Sequence, residues 1–282
     1  MKIYKTALGI LVNHEDIVFH VEYLDWDTLV NRDNLYDYLL TLKPQSVHFS
    51  EGILSPRIIR TPILRQEIWA AGVTYLRSRE ARMEEAKDSG ASDFYAKVYD
   101  AERPELFFKS AAHRCVGNGQ AVHMRKDSKW NVPEPELTLF ATSSGKIVGY
   151  TIGNDMSSRD IEGENPLYLP QAKSYDKSAA IGPCLYVPIS PIDPDTGIEM
   201  SIKRDKKEVF SGKISINQMK RNHTELIDYL FREMSFPHGV YLMTGTCLVP
   251  PNDFTLQVGD IISITIDCIG TLTNVVTYNA RL

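Results

Sequence analysis

A chain of 282 residues suits one large domain, or one with a small appendage, and 43% hydrophobic with 24% charged residues is ordinary globular composition. The net charge of −5 leaves no basic footprint for nucleic acid, and no apolar run approaches the roughly 20 residues that a membrane helix needs. The four cysteines (Cys115, Cys184, Cys247, Cys268) form no C-x-x-C pair and the seven histidines show no ligand spacing, which argues against disulfides and zinc.

Residues 1–63 read as a small N-terminal α+β domain, and 64–282 as the main body. Residues 3–12 and 17–22 have strand character around the polar turn Asn13-His14-Glu15-Asp16. That turn interrupts the N-terminal apolar stretch, which also lacks a small-residue cleavage pattern. It reads as a strand rather than a signal peptide, and a cytoplasmic protein is the default expectation. Residues 34–42 (NLYDYLLTL) have helical spacing at Leu35, Tyr38, Leu39 and Leu42, with Pro44 beyond.

In the main body, residues 67–72 (EIWAAG) read as a buried strand and 73–87 as a helix. The polar stretch 87–102, with a glycine-containing turn, is where a lid can hinge. ELFFK (105–109) reads as a strand entering the core. A carboxylate placed among Leu106, Phe107 and Phe108 is partly desolvated, which suits Glu105 to proton transfer. The alternative is an edge glutamate paired with Arg103 or Lys109.

The stretch NVPEPEL (131–137) carries Glu134 and Glu136 two residues apart. In an extended backbone both point to one face and can converge on a hard divalent cation. Ser143-Ser144-Gly145-Lys146 then lies between two apolar runs, a hairpin signal, and the return strand carries Asp155 back beside the pair. A solvated acidic loop is the competing reading. Arg159 and Asp160 follow, where they could form a structural ion pair. Lys173 lies in QAKSYD; a lysine beside a divalent ion can serve as general base or as donor to a developing oxyanion.

Residues 181–216 hold Pro and Gly turns and hairpin-like strands around Ser211-Gly212-Lys213. Residues 224–234 read as a helix with Leu226, Ile227, Leu230 and Phe231 on one face. After the apolar strand 240–243 comes Thr244-Gly245-Thr246, where glycine permits close backbone approach and Thr246 offers a hydroxyl to a substrate carboxylate. Two further strands close the chain. Dinucleotide and P-loop glycine motifs are absent.

Glu134, Glu136, Asp155 and Lys173, with Gly153-Asn154-Asp155 and Thr244-Gly245-Thr246, resemble the fumarylacetoacetate hydrolase family from about Ala70 onward. RPELFFK (103–109), WNVPEPEL (130–137) and SSRDIEGENPLYLPQAK (157–173) place the likeness among its dehydratases of 2-keto-3-deoxy sugar acids. The resemblance implies an α+β, mainly β fold, a mixed β-sandwich roll behind a small N-terminal domain, assembled as a homodimer or higher homo-oligomer. It implies that Glu134, Glu136 and Asp155 hold Mg²⁺, with Mn²⁺ or Ca²⁺ as alternatives. Through a metal-stabilised enolate, a substrate such as 2-keto-3-deoxy-D-arabinonate would lose water and yield 2-oxoglutarate semialdehyde. Lys173 and Glu105 would move the protons, and Arg77, Ser78, Arg159 and Thr246 would contact substrate.

Three positions depart from the hydrolase pattern. Ser78 and Ala81 stand where hydrolases of the family carry the His and Glu associated with water activation, and Glu162 stands where they often carry Gln. Those departures weigh against the alternative of acylpyruvate-type C–C hydrolysis. A non-catalytic metal-binding dimer is the remaining alternative.

Overall fold

The computed structural model describes residues 1–15, 17–21, 25–42, 54–76 and 97–280. Strands among them form two sheets. The ten-stranded sheet orders β3 (Ile17–Val21), β2 (Gly9–His14), β1 (Lys2–Thr6), β10 (Ala179–Tyr186), β9 (Ile147–Ser158), β8 (Asn131–Ala141), β13 (Val240–Met243), β4 (Glu67–Gly72) and β5 (Glu105–Ala111). The short β6 (Cys115–Val116) pairs with β10 and completes it. The five-stranded sheet orders β12 (Lys207–Ser215), β11 (Gly197–Arg204), β14 (Ile261–Ile266), β15 (Gly270–Tyr278) and β7 (Ala121–Met124). The mainly β architecture anticipated from the sequence is the one observed.

The β8–β9 hairpin is the centre of the large sheet. Its turn uses Gly145 at φ +83, and its ladder runs from Asn131 opposite Ser158 to Ala141 opposite Ile147. Every residue of β8 is buried, because both of its faces are covered. Leu137, Leu139 and Ala141 pack into the core shared with Ile198, Ile262 and Leu272 of the small sheet. Phe140, on the other face, packs with Tyr241, Leu185 and the helix Trp26–Val30. Proline in a central strand normally loses a ladder bond. Pro133 and Pro135 lie beyond Thr138–Ala141, the part of β8 that pairs with β13, so no bond is lost on that side.

Several elements differ in extent from the sequence reading. Residues 3–12 are two strands, because Gly9 at φ +109 turns the chain between β1 and β2. β1 also pairs with β10, through Lys2 with Tyr186 and Ile3 with Leu185, so the first three strands extend the large sheet. The β11–β12 turn is at Asp205-Lys206 (φ 49 and 66), not at Ser211-Gly212-Lys213. There Gly212 pairs with Met200 inside the ladder, where a Cβ would stand 2.5 Å from Leu248. The two longer helices hold, as Leu35–Thr41 and His223–Phe231, the latter capped by Asn222 accepting from the Glu225 N–H at 2.7 Å. Most of the expected helix over 73–87 and of the lid over 87–102 lies outside the described residues; 97–100 is helical. No helix among the described residues is long and apolar enough to cross a membrane.

Candidate metal centre

Alternation along β8 sends Leu137 and Leu139 to the inter-sheet core and Glu134 and Glu136 to the opposite face. Antiparallel register then sets Asp155 of β9 directly opposite Glu134. One carboxylate oxygen from each of Glu134, Glu136 and Asp155 lies within 4.8 Å of the other two. All three residues are buried, between 1% and 4% exposed, which rules out the solvated acidic loop.

Three buried cations answer these carboxylates. Lys173 Nζ donates to Glu134 Oε2 at 2.6 Å, to Ser157 Oγ at 2.6 Å and to Asp155 Oδ2 at 3.2 Å. Arg159 Nη2 donates to Glu134 Oε1 at 2.5 Å. Lys109 Nζ stands 2.5 Å from Asp155 Oδ1. Glu136 has no ion pair among the described residues; its Oε2 accepts the Gly245 N–H at 2.5 Å. Burial first, then the charges of Asp155 and Glu134, push the Glu136 carboxyl well above the ordinary carboxylate range. Burial likewise pushes Lys109 down, opposed by Asp155.

This donor set fits a divalent cation. It offers oxygen alone, the preference of Mg²⁺, Mn²⁺ and Ca²⁺, with no thiolate or imidazole to favour zinc. A carboxyl that resists ionisation among its neighbours is also one whose proton a cation can displace.

The cleft over the carboxylates is lined by Gly72, Val73, Phe107, Arg159 and Thr246. Val73 has φ +52, a left-handed conformation that is strained for a β-branched residue, at the cleft wall. Glu105 pairs with Gly72 across β5 and β4. A Cβ at Gly72 would sit 2.1 Å from Glu105 Oε2, so the glycine leaves the space that this carboxylate fills. Thr246 is 6% exposed, and its hydroxyl accepts the Leu248 N–H at 3.3 Å. A wider groove of about 810 Å³ elsewhere, floored by Tyr150 and His223, has no part in this cluster.

The structure thus brings together Glu134, Glu136, Asp155, Lys173, Arg159 and Thr246, with Glu105 packed against Gly72 of the cleft wall. The Arg159–Asp160 ion pair is not formed. Arg159 turns to Glu134, and Asp160 instead accepts from Ser128 Oγ and the Lys129 N–H, each at 2.6 Å. Lys109 is directed to Asp155 rather than to Glu105. Arg77, Ser78 and Ala81 lie outside the described residues.

Sequence reasoning assigns no part in the site to Lys109 or Ser157. The available signal for Lys109 is a cation that follows the apolar run Leu106-Phe107-Phe108 inside a strand. Its aim depends on a β-bulge: Ile68 pairs with Ser110 and Trp69 with Phe108, leaving Lys109 as the extra residue.

Comparison with known proteins follows this geometry closely. Residues 67–277 match the family described as fumarylacetoacetate (FAA) hydrolase C-terminal. The chain is 50% identical over 217 residues to a Haloferax volcanii protein named probable 2-keto-3-deoxyxylonate dehydratase, covering 77% of this chain and 74% of that one. It is 44% identical over 245 residues to the 2-dehydro-3-deoxy-D-arabinonate dehydratase of Saccharolobus solfataricus, covering 86% and 82%. A solved 2-keto-3-deoxy-D-arabinonate dehydratase complexed with magnesium and 2,5-dioxopentanoate matches with a TM-score of 0.83 at 34% identity, over 99% of both chains.

Proposed function

The chain belongs to the fumarylacetoacetate hydrolase family, and we propose that it is a divalent-metal-dependent hydro-lyase. It removes one water from 2-keto-3-deoxy-D-arabinonate to give 2-oxoglutarate semialdehyde, which is 2,5-dioxopentanoate. The observation that carries this reading is the buried Glu134–Glu136–Asp155 cluster, with Lys173 Nζ hydrogen-bonded to two of its carboxylates. The sugar names of the two relatives are compatible. In a 2-keto-3-deoxy pentonate C2 is a ketone and C3 a methylene, so only C4 remains a stereocentre. An arabinonate and a xylonate of the same C4 hand give one compound.

Glu134, Glu136 and Asp155 would hold the ion, Mg²⁺ or Mn²⁺ being suited to the all-oxygen donors. Bound there, the ion supplies Lewis acidity to the carboxylate and keto oxygens of a 2-keto acid, which acidifies C3. Lys173 lines the cleft and Glu105 packs against Gly72 of its wall; they are assigned as a proton-transfer pair, one taking the C3 proton and the other protonating the departing C4 hydroxyl. The C3–H and C4–O bonds break, a C3=C4 bond forms and water leaves. A proton moved from C5 to C3, followed by ketonisation of the enol, leaves the C5 aldehyde.

Thr246 and Arg159 line the cleft and are assigned to the substrate carboxylate, the same task that Arg77 and Ser78 are given from sequence alone. Phe107 and Val73 wall the cleft against water. Loss of water needs no hydrolytic nucleophile, which agrees with Ser78 and Ala81 replacing the hydrolases' His and Glu.

The test is mass spectrometry of purified protein, with and without Mg²⁺, on 2-keto-3-deoxy-pentonates, 2-keto-3-deoxy-hexonates and acylpyruvates. Mg²⁺-dependent loss of one water from the pentonate is the expected result. Cleavage of acylpyruvates, or no turnover of any sugar acid, refutes the reading. A homodimer in the cytoplasm is the expected assembly and location; light scattering of the purified protein tests the first, and fractionation of cells the second.

A further inference from the structure

Lys109 is fully buried and does not line the cleft, so substrate does not reach it. Its ammonium nevertheless has a partner in each of three directions. Nζ meets Asp155 Oδ1 at 2.5 Å, donates to the Met156 carbonyl at 2.9 Å and donates to the Lys173 carbonyl at 2.5 Å. An ammonium carries three donors; two are used in hydrogen bonds to backbone carbonyls, and the charge is met by the ion pair with Asp155. They join β5, β9 and the end of the helix Leu169–Lys173, three elements that meet at the cluster. The Lys173 carbonyl also accepts from Ser178 Oγ at 2.8 Å, so two side chains hold the backbone from which the Lys173 side chain enters.

A buried ion pair contributes little to stability compared with an apolar replacement of similar volume. Stability alone therefore gives no reason for a lysine in this apolar strand, whereas placement of reacting groups does.

We propose that Lys109 is a positioning residue: from behind the cleft it fixes the Asp155 carboxylate and the Lys173 backbone relative to each other. Only the turnover part of its test rests on the dehydratase reading. With Oδ1 held by Lys109, Asp155 is left with Oδ2 toward the cluster, where Lys173 Nζ stands 3.2 Å away.

Lys109→Met in the full chain is the test. The variant is expected to fold, by circular dichroism, and to bind Mn²⁺ within about tenfold of wild type by calorimetry, because the three cluster carboxylates remain. Turnover of 2-keto-3-deoxy-D-arabinonate should fall about 100-fold in kcat with KM little changed, the loss expected when reacting groups shift by about 1 Å. Added methylammonium should restore part of kcat to Lys109→Ala, whereas tetramethylammonium, which has no N–H, should not. Unchanged kcat overturns the proposal. So does loss of Mn²⁺ binding in parallel with activity, which would make Lys109 a support of the metal site as a whole.

If Lys109→Met does not fold, Lys109→Gln, whose shorter amide keeps a polar group in the strand but cannot serve all three partners, decides the question. Lower kcat at unchanged Mn²⁺ affinity supports the tie, and wild-type kcat overturns it. If wild-type protein does not dehydrate the sugar acid, the functional reading fails, and the crystal structure of Lys109→Met decides separately. Displaced Asp155 and Lys173 support positioning; unmoved side chains overturn it.

Discussion

Replacing Glu136 by Gln is expected to stabilise the metal-free protein as pH rises and to abolish its response to Mg²⁺. The amide is nearly isosteric, and its oxygen can accept the same Gly245 N–H that Glu136 Oε2 accepts at 2.5 Å. What changes is the proton. Burial and the neighbouring Asp155 and Glu134 raise the folded carboxyl well above its ordinary value of 4.5. Over the range between those two values the folded state holds a proton that the unfolded state has released. The contribution of Glu136 to stability is therefore fully present below 4.5 and declines as pH rises, until the folded carboxyl itself ionises.

While the folded carboxyl keeps its proton the decline is about 1.4 kcal/mol per pH unit, so the gap between the Glu136→Gln variant and wild-type protein widens as pH rises. At roughly 2 °C per kcal/mol for a chain of this size, that is about 3 °C in Tm per pH unit. Thermal unfolding in chelator from pH 5 to pH 8 measures it, and taking the difference between the two proteins cancels every other titrating group. Mg²⁺ should raise the Tm of wild type alone, with proton release seen by calorimetry in buffers of different ionisation heat. A gap that does not change with pH, or a metal-free wild type more stable at pH 8 than Glu136→Gln, refutes the crowding of carboxylates argued above.

Three further outcomes follow from other parts of the molecule. Gly72→Ala places a Cβ 2.1 Å from Glu105 Oε2 and must displace that carboxylate; kcat should fall at least tenfold, the scale of a lost general acid or base, while Mn²⁺ affinity by calorimetry stays at the wild-type level. His223 is pushed down to about 4 by burial, so the unfolded state binds its proton first as pH falls from the ordinary 6.5. Between pH 7 and pH 5 wild-type stability should drop by about 2 kcal/mol from this group, and denaturant unfolding of His223→Phe at those two pH values should show a smaller drop. Asp205 and Lys206 both hold positive φ in the β11–β12 turn, the geometry that Asn-Gly adopts without strain. The double replacement Asp205→Asn with Lys206→Gly should add about 1 kcal/mol to stability by denaturant unfolding and leave turnover unchanged.

The convergence of the three carboxylates was legible because it depends on short-range rules. Alternation puts Glu134 and Glu136 on one face, and a compact turn at Ser143–Lys146 returns Asp155 to the position opposite Glu134. The helix His223–Phe231 was legible for a similar reason, its apolar positions repeating within a few residues. Local composition misplaced the β11–β12 turn. Ser-Gly-Lys is the better turn sequence, but pairing of Ile198, Met200 and Ile202 with β14 keeps β11 long, and Gly212 is drawn into the ladder beside Met200.

The cations around the carboxylates were a matter of tertiary structure. Lys109 reaches the backbone of Lys173 across 64 residues of sequence, from a bulge that exists only because β4 pairs with β5 out of step. The upward shift of the Glu136 carboxyl has no local signature either, since it arises from burial together with Asp155 and Glu134 at close range. The sequence by itself determined which carboxylates converge, because strand alternation and a tight turn act over a few residues. Which cations oppose them, and which carboxyl resists ionisation, was decided only when distant strands packed together and excluded water, since both depend on charges brought close in a medium that screens them poorly.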